Sequence, residues 1–197
     1  MGDFSVRFWG VRGSIPVSGP ATLRYGGNTS CVEVRAGGEH VIIDAGTGIR
    51  ALGATLKPPL TLRMIFSHLH WDHIQGFPFF RPLYSKEASI EMYSGHKVDG
   101  SLVAVLEGQM QEPNFPVNLH GLPAKMTFKE IHPGQEILTF GELRIHTIAL
   151  RHPNGSMGMR FDYGGRSFVH LTDHEHSEEF APAVEEFCRG AEVLSID

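Results

Sequence analysis

The stretch of sequence that decides the fold is Ser67-His68-Leu69-His70-Trp71-Asp72-His73. It follows an apolar run at 62–66, which predicts a buried strand, and it places four possible metal ligands within six residues. His68 and His70 are two residues apart, so their side chains point the same way in extended chain and can converge on one ion. Asp72 and His73 lie beyond the strand end, where a turn can direct them to a second ion beside the first.

The donor types in this stretch indicate which metals it would bind. Imidazole nitrogens and carboxylate oxygens suit zinc, and such a mixture also accepts iron or manganese. A histidine-rich surface loop is the alternative, and for a single histidine it would be the better interpretation. Four donors directly after a buried strand instead favour a centre of two divalent ions, with Zn²⁺ as the expected metal and Mn or Fe as the alternatives.

Two later strands end in residues of the same chemistry. The apolar run at 143–150 leads into His152, and the run at 167–171 leads into Asp173. Alone, either residue would be read as structural, because a strand-end Asp often caps a turn and a strand-end His is often satisfied locally. Beside the cluster at 68–73 they become the expected distal ligands.

Hydrophobic patterning predicts sheets with helices on their outer faces. The predicted strands are 4–9, 31–34, 40–44, 62–66, 126–131, 143–150, 157–163, 167–171 and 193–196, and the predicted helices are 49–56, 101–110 and 178–188. The segment 95–125 is the least regular, and it is interpreted as an inserted excursion that either lines the site or builds a homodimer interface. The whole chain, 1–197, is expected to be one domain.

Composition excludes several classes of protein. The 197 residues carry 17 Lys+Arg against 22 Asp+Glu, a net charge of -5, which argues against a nonspecific nucleic-acid binder. Neither a signal peptide nor a membrane-spanning run is recognisable. The two cysteines, Cys31 and Cys188, are expected to be reduced in a cytoplasmic protein, and a secreted protein with one bridge is the alternative. The sequence contains no G-x-S-x-G motif, so it gives no support for a serine nucleophile.

The chain resembles the metallo-β-lactamase superfamily, and within it the branch around ribonuclease Z and the cyclic-phosphate phosphodiesterases. The motif His68-x-His70-x-Asp72-His73 carries the superfamily resemblance, together with Asp44, His152 and Asp173. The branch is indicated by Gly10-Val11-Arg12-Gly13-Ser14-Ile15-Pro16, Gly26-Gly27-Asn28-Thr29-Ser30-Cys31, Asp44-Ala45-Gly46-Thr47-Gly48 and Leu171-Thr172-Asp173-His174-Glu175-His176. The resemblance implies an α+β fold, a four-layer αββα sandwich.

The resemblance also implies a role for each site residue. One ion would be held by His68, His70 and His152, and a second by Asp72 and His73, with Asp173 bridging the two. Asp44 would hydrogen-bond a ligating histidine and orient the ligand loop. Asp72 would be catalytic as well as a ligand, orienting a hydroxide held between the two ions for attack on the substrate.

The sequence departs from the family pattern in one respect. The pattern continues with a further strand-end His that completes the second metal site, and the final C-terminal strand and helix elements are not found in this sequence. The chain is then a truncated form, or its second site is weaker, or another group replaces that ligand. Candidates for the replacement are His174, His176 and a residue of a partner chain, and the departure bears on activity more than on fold.

The leading functional hypothesis is a hydrolase of a small cyclic or nucleotide-type phosphodiester. One alternative is a hydrolase of a thioester, lactone or other non-phosphate ester, including a β-lactam. Another is a metal-bearing regulator without catalysis that binds a nucleotide or a partner protein. Candidate substrate contacts are Asn28, His174 and His176, although turn and loop roles explain them equally well.

Overall fold

Two β-sheets form the centre of the molecule. The structure is a computed structural model and describes residues 3–95, 101–135 and 137–197. The first sheet has the order β1-β2-β3-β4-β5-β6, with β1 Phe4–Gly10, β2 Cys31–Ala36, β3 Glu39–Ile43, β4 Leu60–Phe66, β5 Ala88–Gly95 and β6 Lys125–Ile131. The second has the order β11-β10-β9-β8-β7, with β7 Ile137–Phe140, β8 Leu143–Leu150, β9 Ser156–Tyr163, β10 Arg166–Leu171 and β11 Val193–Ile196.

Strand directions bring the predicted ligand loops to one end of the sandwich. In the first sheet β3, β4, β5 and β6 are parallel neighbours, so the loops after β3 and β4 leave the same edge. In the second sheet β8 and β10 each pair antiparallel with β9 and therefore run in the same direction. Their carboxyl ends deliver His152 and Asp173 to one edge, which is what the strand-end positions in the sequence predict.

The connections explain where the helices lie. Parallel neighbours need a crossover connection, and α1 (Gly48–Thr55) joins β3 to β4 while the short α2 (Trp71–Ile74) follows β4. The described part of 95–125 is the crossover from β5 to β6 and contains α3 (Leu102–Gln109); residues 96–100 lie outside the described residues. In the second sheet α4 (Ala181–Cys188) connects the parallel pair β10 and β11.

Three clusters of buried apolar side chains confirm the predicted αββα layering. The largest joins the outer face of the first sheet to α1 and α3, for example through Met64, Leu52 and Leu106. A second lies between the two sheets and includes Ile43 and Phe161. The third packs α4 against the outer face of the second sheet. The order is therefore helix, sheet, sheet, helix.

Local differences from the sequence predictions have physical causes. β5 was not predicted, although Ala88, Ile90 and Met92 alternate with polar residues, and the four-residue β7 is too short to show a period. The last helix begins at Ala181 rather than at 178, with Pro182 in its first turn, where the missing N–H costs nothing. Among the helices of the described ranges, none combines the length and apolarity needed to cross a membrane.

Candidate metal centre

Three histidines and one aspartate converge at the end of the sandwich where the ligand loops meet. Nε2 of His68 lies 2.9 Å from Nδ1 of His70, which lies 3.0 Å from Nε2 of His152. Oδ2 of Asp173 lies 3.4 Å from Nε2 of His68 and 3.2 Å from Nε2 of His152. One ligand atom from each of the four residues falls within 4.8 Å of all the others.

The spacing of these donors fits a single ion. Zinc–nitrogen bonds of about 2.0–2.1 Å in tetrahedral geometry separate ligand nitrogens by roughly 3.3 Å. The nitrogen–nitrogen distances of 2.9 and 3.0 Å lie close to that value. A three-histidine, one-carboxylate set is also a donor set that zinc prefers, so these side chains fit the metal that the sequence predicts.

A second group of donors adjoins the first. Nε2 of His73 lies 3.6 Å from Oδ2 of Asp72 and 3.6 Å from Oδ1 of Asp173. Asp173 therefore presents one oxygen to the first group and the other to the second. Asp72 and His73 belong to α2, directly after the loop that carries His68 and His70. These positions agree with the ligand set that the family resemblance implies for a second ion.

Asp44 contacts the second group of donors through the ring of His73. It is fully buried, directly after β3, and its Oδ2 lies 2.7 Å from Nδ1 of His73. The same carboxylate accepts hydrogen bonds from the backbone N–H of Ser67 at 2.7 Å, from the Ser67 hydroxyl at 2.8 Å and from the Ser30 hydroxyl at 3.1 Å. Because Nδ1 of His73 faces Asp44, its Nε2 is the nitrogen left for an ion.

The charges of the site are strongly coupled. Burial lowers the pKa of His68, which leaves a neutral ring with a lone pair to donate. Burial also disfavours a charged His73, but the carboxylates of Asp44 and Asp173 outweigh it and raise the pKa of His73 to about 10. Hydrogen bonds to His68 and His73 hold the pKa of Asp173 far below its usual range. The carboxylates thus require positive charge, which a proton or a bound cation supplies.

The non-glycine residues with left-handed backbone lie in or next to the loops that carry the site. The non-glycine residues of the described chain with positive φ are Ser14 (68°), Asp44 (60°), Asn154 (62°) and Asp173 (55°). Asp44 and Asp173 belong to the site itself, and Asn154 lies in the turn after His152. Ser14 contacts the site through its backbone N–H, which donates to Oδ2 of Asp72 at 2.7 Å. Unfavourable backbone held in place at such positions is typical of a functional site.

A cavity of about 310 Å³ opens beside the second group of donors. His73 and Asp173 form part of its wall, and further parts come from the turn at 10–13, the ends of β10 and β11, and Phe8, Ser30 and Val32. His170 also borders it, almost fully buried, with Nδ1 3.2 Å from the Ser195 hydroxyl. The size is that of a small-molecule site.

The structure places the three predicted substrate contacts differently from one another. Asn28 borders a surface groove with 16–19, and its side-chain oxygen accepts from the Thr47 hydroxyl at 3.2 Å. His174 is half-buried, and its Nδ1 accepts the backbone N–H of Arg151 at 3.3 Å. His176 is exposed. Asn28 and His174 thus have structural contacts of their own, and the substrate role of all three stays a prediction.

Sequence reasoning missed three supporting groups. Ser67 bonds Asp44 and lies 3.1 Å from Nδ1 of His68, and its position between a strand and the first ligand was the available signal. The carboxylate of Asp197 accepts the backbone N–H of Asp173 at 2.9 Å. Asp197 follows β11 just as Asp173 follows the parallel β10, so the strand-end pattern applied there too. The Ser14 contact is made by the backbone and leaves no signal in residue type.

Comparison with known proteins places the chain in a family. A family model described as a beta-lactamase superfamily domain matches residues 39–197, and the chain belongs to that superfamily. The predicted resemblance is therefore confirmed. The superfamily supports a metal-dependent hydrolase, and the His/Asp group described above is a group of the described residues that could bind metal.

The chain is similar to two curated relatives in sequence and to one solved structure in fold. The chain is 27% identical to ribonuclease Z of Bradyrhizobium sp. (strain ORS 278) over 166 residues, 80% of this chain and 50% of the relative. It is 25% identical to ribonuclease Z of Natronomonas pharaonis over 183 residues, 91% of this chain and 54% of the relative. The chain thus spans about half the length of the curated relatives it matches. The metallo-beta-lactamase fold protein YhfI from Bacillus subtilis shares the fold, with a TM-score of 0.66, 21% identity, and coverage of 96% of this chain and 68% of that chain.

Proposed function

We propose that this chain is a dinuclear metal-dependent phosphodiesterase that hydrolyses a small cyclic or nucleotide-type phosphodiester. The observation that carries the proposal is the convergence of His68, His70, His152 and Asp173 within 4.8 Å, next to Asp72 and His73. Three separate segments, which follow β4, β8 and β10, supply these residues, and burial and hydrogen bonds fix their orientation.

Each residue has a defined part in holding the metal. His68, His70 and His152 would hold one ion and Asp72 and His73 the other, with Asp173 placed between the two groups of ligands. Zn²⁺ bound there would supply Lewis-acid charge and an acidified water molecule close to the substrate. The chain's own contribution is to fix the ligands: Asp44 holds the ring of His73, and Ser67 holds the carboxylate of Asp44.

Asp72 is the residue with a second task. Its Oδ2 lies at the edge of the second donor group and accepts the N–H of Ser14, so the carboxylate is held in one orientation. A carboxylate fixed beside the reacting centre can accept a hydrogen bond from the attacking water and orient it toward phosphorus. Asp72 is therefore the proposed catalytic residue.

The substrate class follows from the relatives and from the size of the site. The curated relatives are named ribonuclease Z, and a ribonuclease cleaves phosphodiester bonds. The net charge of -5 offers little attraction to a long polyanion, whereas a cavity of about 310 Å³ suits a small ester. These features support a small phosphodiester over long RNA.

The test is a substrate panel with the Zn²⁺-loaded chain. We expect turnover of bis-p-nitrophenyl phosphate and of a 2′,3′-cyclic nucleotide, and at least 100-fold less turnover of p-nitrophenyl acetate and a thioester. His152→Ala should abolish the phosphodiesterase activity. His120→Ala is the matched control, because His120 is exposed on the crossover and pairs with Glu107. Preferential hydrolysis of the acyl esters, or none at all, would contradict the proposal.

A further inference from the structure

We propose that the backbone N–H of Ser14 is a positioning group for Asp72 and that it sets the affinity of the second metal site. This inference rests on the proposed function, because it assigns a role within the same site. Ser14 donates to Oδ2 of Asp72 at 2.7 Å across 58 positions of sequence. The same Oδ2 lies 3.6 Å from Nε2 of His73, so the N–H holds the oxygen that faces the second donor group.

The orientation of the Asp72 carboxylate depends on fewer contacts than that of Asp44 or Asp173. Asp44 accepts from Ser67, Ser30 and His73, and Asp173 contacts three histidines. Within the described ranges, the carboxylate of Asp72 accepts its hydrogen bond from the backbone N–H of Ser14. A carboxylate at 2.7 Å from an N–H is a strong, charge-assisted acceptor. Without that donor, rotation of the Asp72 side chain would be far less restricted.

The turn that carries Ser14 is fixed from outside the metal centre. The backbone N–H groups of Val11 and Arg12 both donate to the carbonyl of Asn28, at 3.1 and 3.0 Å. Val17 donates to the carbonyl of Gly27 at 2.9 Å on the other side of the turn. The position of the Ser14 N–H is therefore set by the packing of 11–17 against 27–28, before any ion binds.

The conformation of Ser14 supports a backbone role rather than a side-chain role. Its φ of 68° lies in the left-handed region, which serine adopts rarely, and its side chain is exposed. Glycine adopts this conformation without steric cost and keeps the N–H, whereas a β-branched residue disfavours it strongly. Ser14→Gly therefore removes the side chain and leaves the N–H in place. Ser14→Val disfavours the backbone conformation that directs this N–H at Asp72.

The experiment is a Co²⁺ titration of metal-free protein, followed by the visible absorption of the ion. We compare the native chain with Ser14→Gly and Ser14→Val, each with Asp72 intact and in the Asp72→Ala background. We expect Ser14→Val to weaken the second equivalent about 10–100-fold, the usual effect of removing a group that orients a ligand. Ser14→Gly should bind the second equivalent with native affinity. Ser18→Val is the control for a valine on the same loop, because Ser18 is exposed.

The double-substitution background distinguishes positioning from a general loss of structure. If Ser14 acts through Asp72, then Ser14→Val has no further effect once Asp72 is alanine. Equal weakening by Ser14→Gly and Ser14→Val would overturn the inference, and so would an additive effect in the Asp72→Ala background. A native chain that binds only one equivalent would overturn it as well.

A backbone substitution keeps the inference testable if Ser14→Val does not fold. Cys31 allows a synthetic 1–30 segment to be ligated to the remainder of the chain, with the amide between Gly13 and Ser14 replaced by an ester. The ester removes the N–H of Ser14 and leaves its side chain unchanged, although it also weakens the Gly13 carbonyl that accepts the N–H of Ile15 at 2.9 Å. We expect the same weakening of the second equivalent. Because the titration measures binding, absence of phosphodiesterase turnover would contradict the proposed function without changing this result.

Discussion

The Oδ2 atom of Asp44 lies 2.7 Å from Nδ1 of His73, and this pair links the end of β3 to the loop that follows β4. Asp44 adopts a left-handed φ of 60° at the strand end, which directs its backbone into the Asp44-Ala45-Gly46 turn. The backbone N–H of Ala45 then donates to the carbonyl of His73 at 2.7 Å. Two adjacent residues of one turn therefore hold His73, one through its ring and one through its backbone.

Asp44→Asn should weaken the second metal site about 10–100-fold, because Asn cannot supply the charge that orients the ring of His73. The first equivalent, held by the other three histidines, should bind nearly as in the native chain. The measurement is a Zn²⁺ titration by calorimetry with thermal unfolding of the metal-free protein. Asp162→Asn on β9, paired with Arg160, serves as control, and equal loss of both equivalents would contradict the assignment.

Gly46→Ala should destabilise the fold by about 2 kcal/mol and disturb the metal centre. A Cβ at this position would overlap the carbonyl oxygen of Asp72 and come within 2.6 Å of the carbonyl oxygen of Ser30. Backbone cannot yield as a flexible side chain does. Gly108→Ala is the matched control, since a Cβ there meets nothing within 4 Å and alanine favours the helix by roughly 0.5–1 kcal/mol. Urea unfolding of both variants measures the difference.

We expect the stability of the fold to depend on pH through Glu33, which lies outside the candidate metal centre. Its carboxylate is buried and lies 2.8 Å from Nε1 of Trp9 and 2.7 Å from Nε of Arg35. Burial alone would raise its pKa, but hydrogen bonds from His40, Trp9 and Arg35 lower the pKa to about 2. A folded-state pKa below the unfolded value stabilises the fold above about pH 4.5 and loses that contribution as the pH falls toward 2.

The expected size of this contribution is on the order of 3 kcal/mol, from a depression of the pKa by roughly two units. Free energies of unfolding measured in urea between pH 7 and pH 3 should fall for the native chain. Glu33→Gln should be less stable at pH 7 and show a shallower decline. Parallel pH profiles for the two proteins would show that Glu33 does not contribute.

The convergence of the candidate ligands could be predicted from the sequence because its signal is local and chemical. His68, His70, Asp72 and His73 lie within six consecutive positions, and any strand-to-loop transition there brings them together. His152 and Asp173 were found by their position at strand ends, which the parallel directions of β8 and β10 turn into proximity. Patterning likewise located nine of the strands and the layered arrangement of helices.

The remainder depended on information that residue types do not carry. The contact of Ser14 with Asp72 is made by a backbone N–H, and no side-chain pattern marks it. The segment 95–125 is interpreted from the sequence as an excursion because β5, the strand that it connects to the parallel β6, shows no recognised pattern. Asn28 is a candidate substrate contact from its glycine-rich context, and its hydrogen bond with Thr47 could not be read from that context; the substrate role stays a prediction.

The most direct test of the dinuclear phosphodiesterase is turnover of bis-p-nitrophenyl phosphate as Zn²⁺ is added stepwise to metal-free protein, for the native chain and Asp72→Ala. We predict little activity up to one equivalent, a rise that is complete at two, and at least 100-fold less activity in Asp72→Ala at any Zn²⁺ level. Full activity at one equivalent, or equal activity in both proteins, would contradict the account.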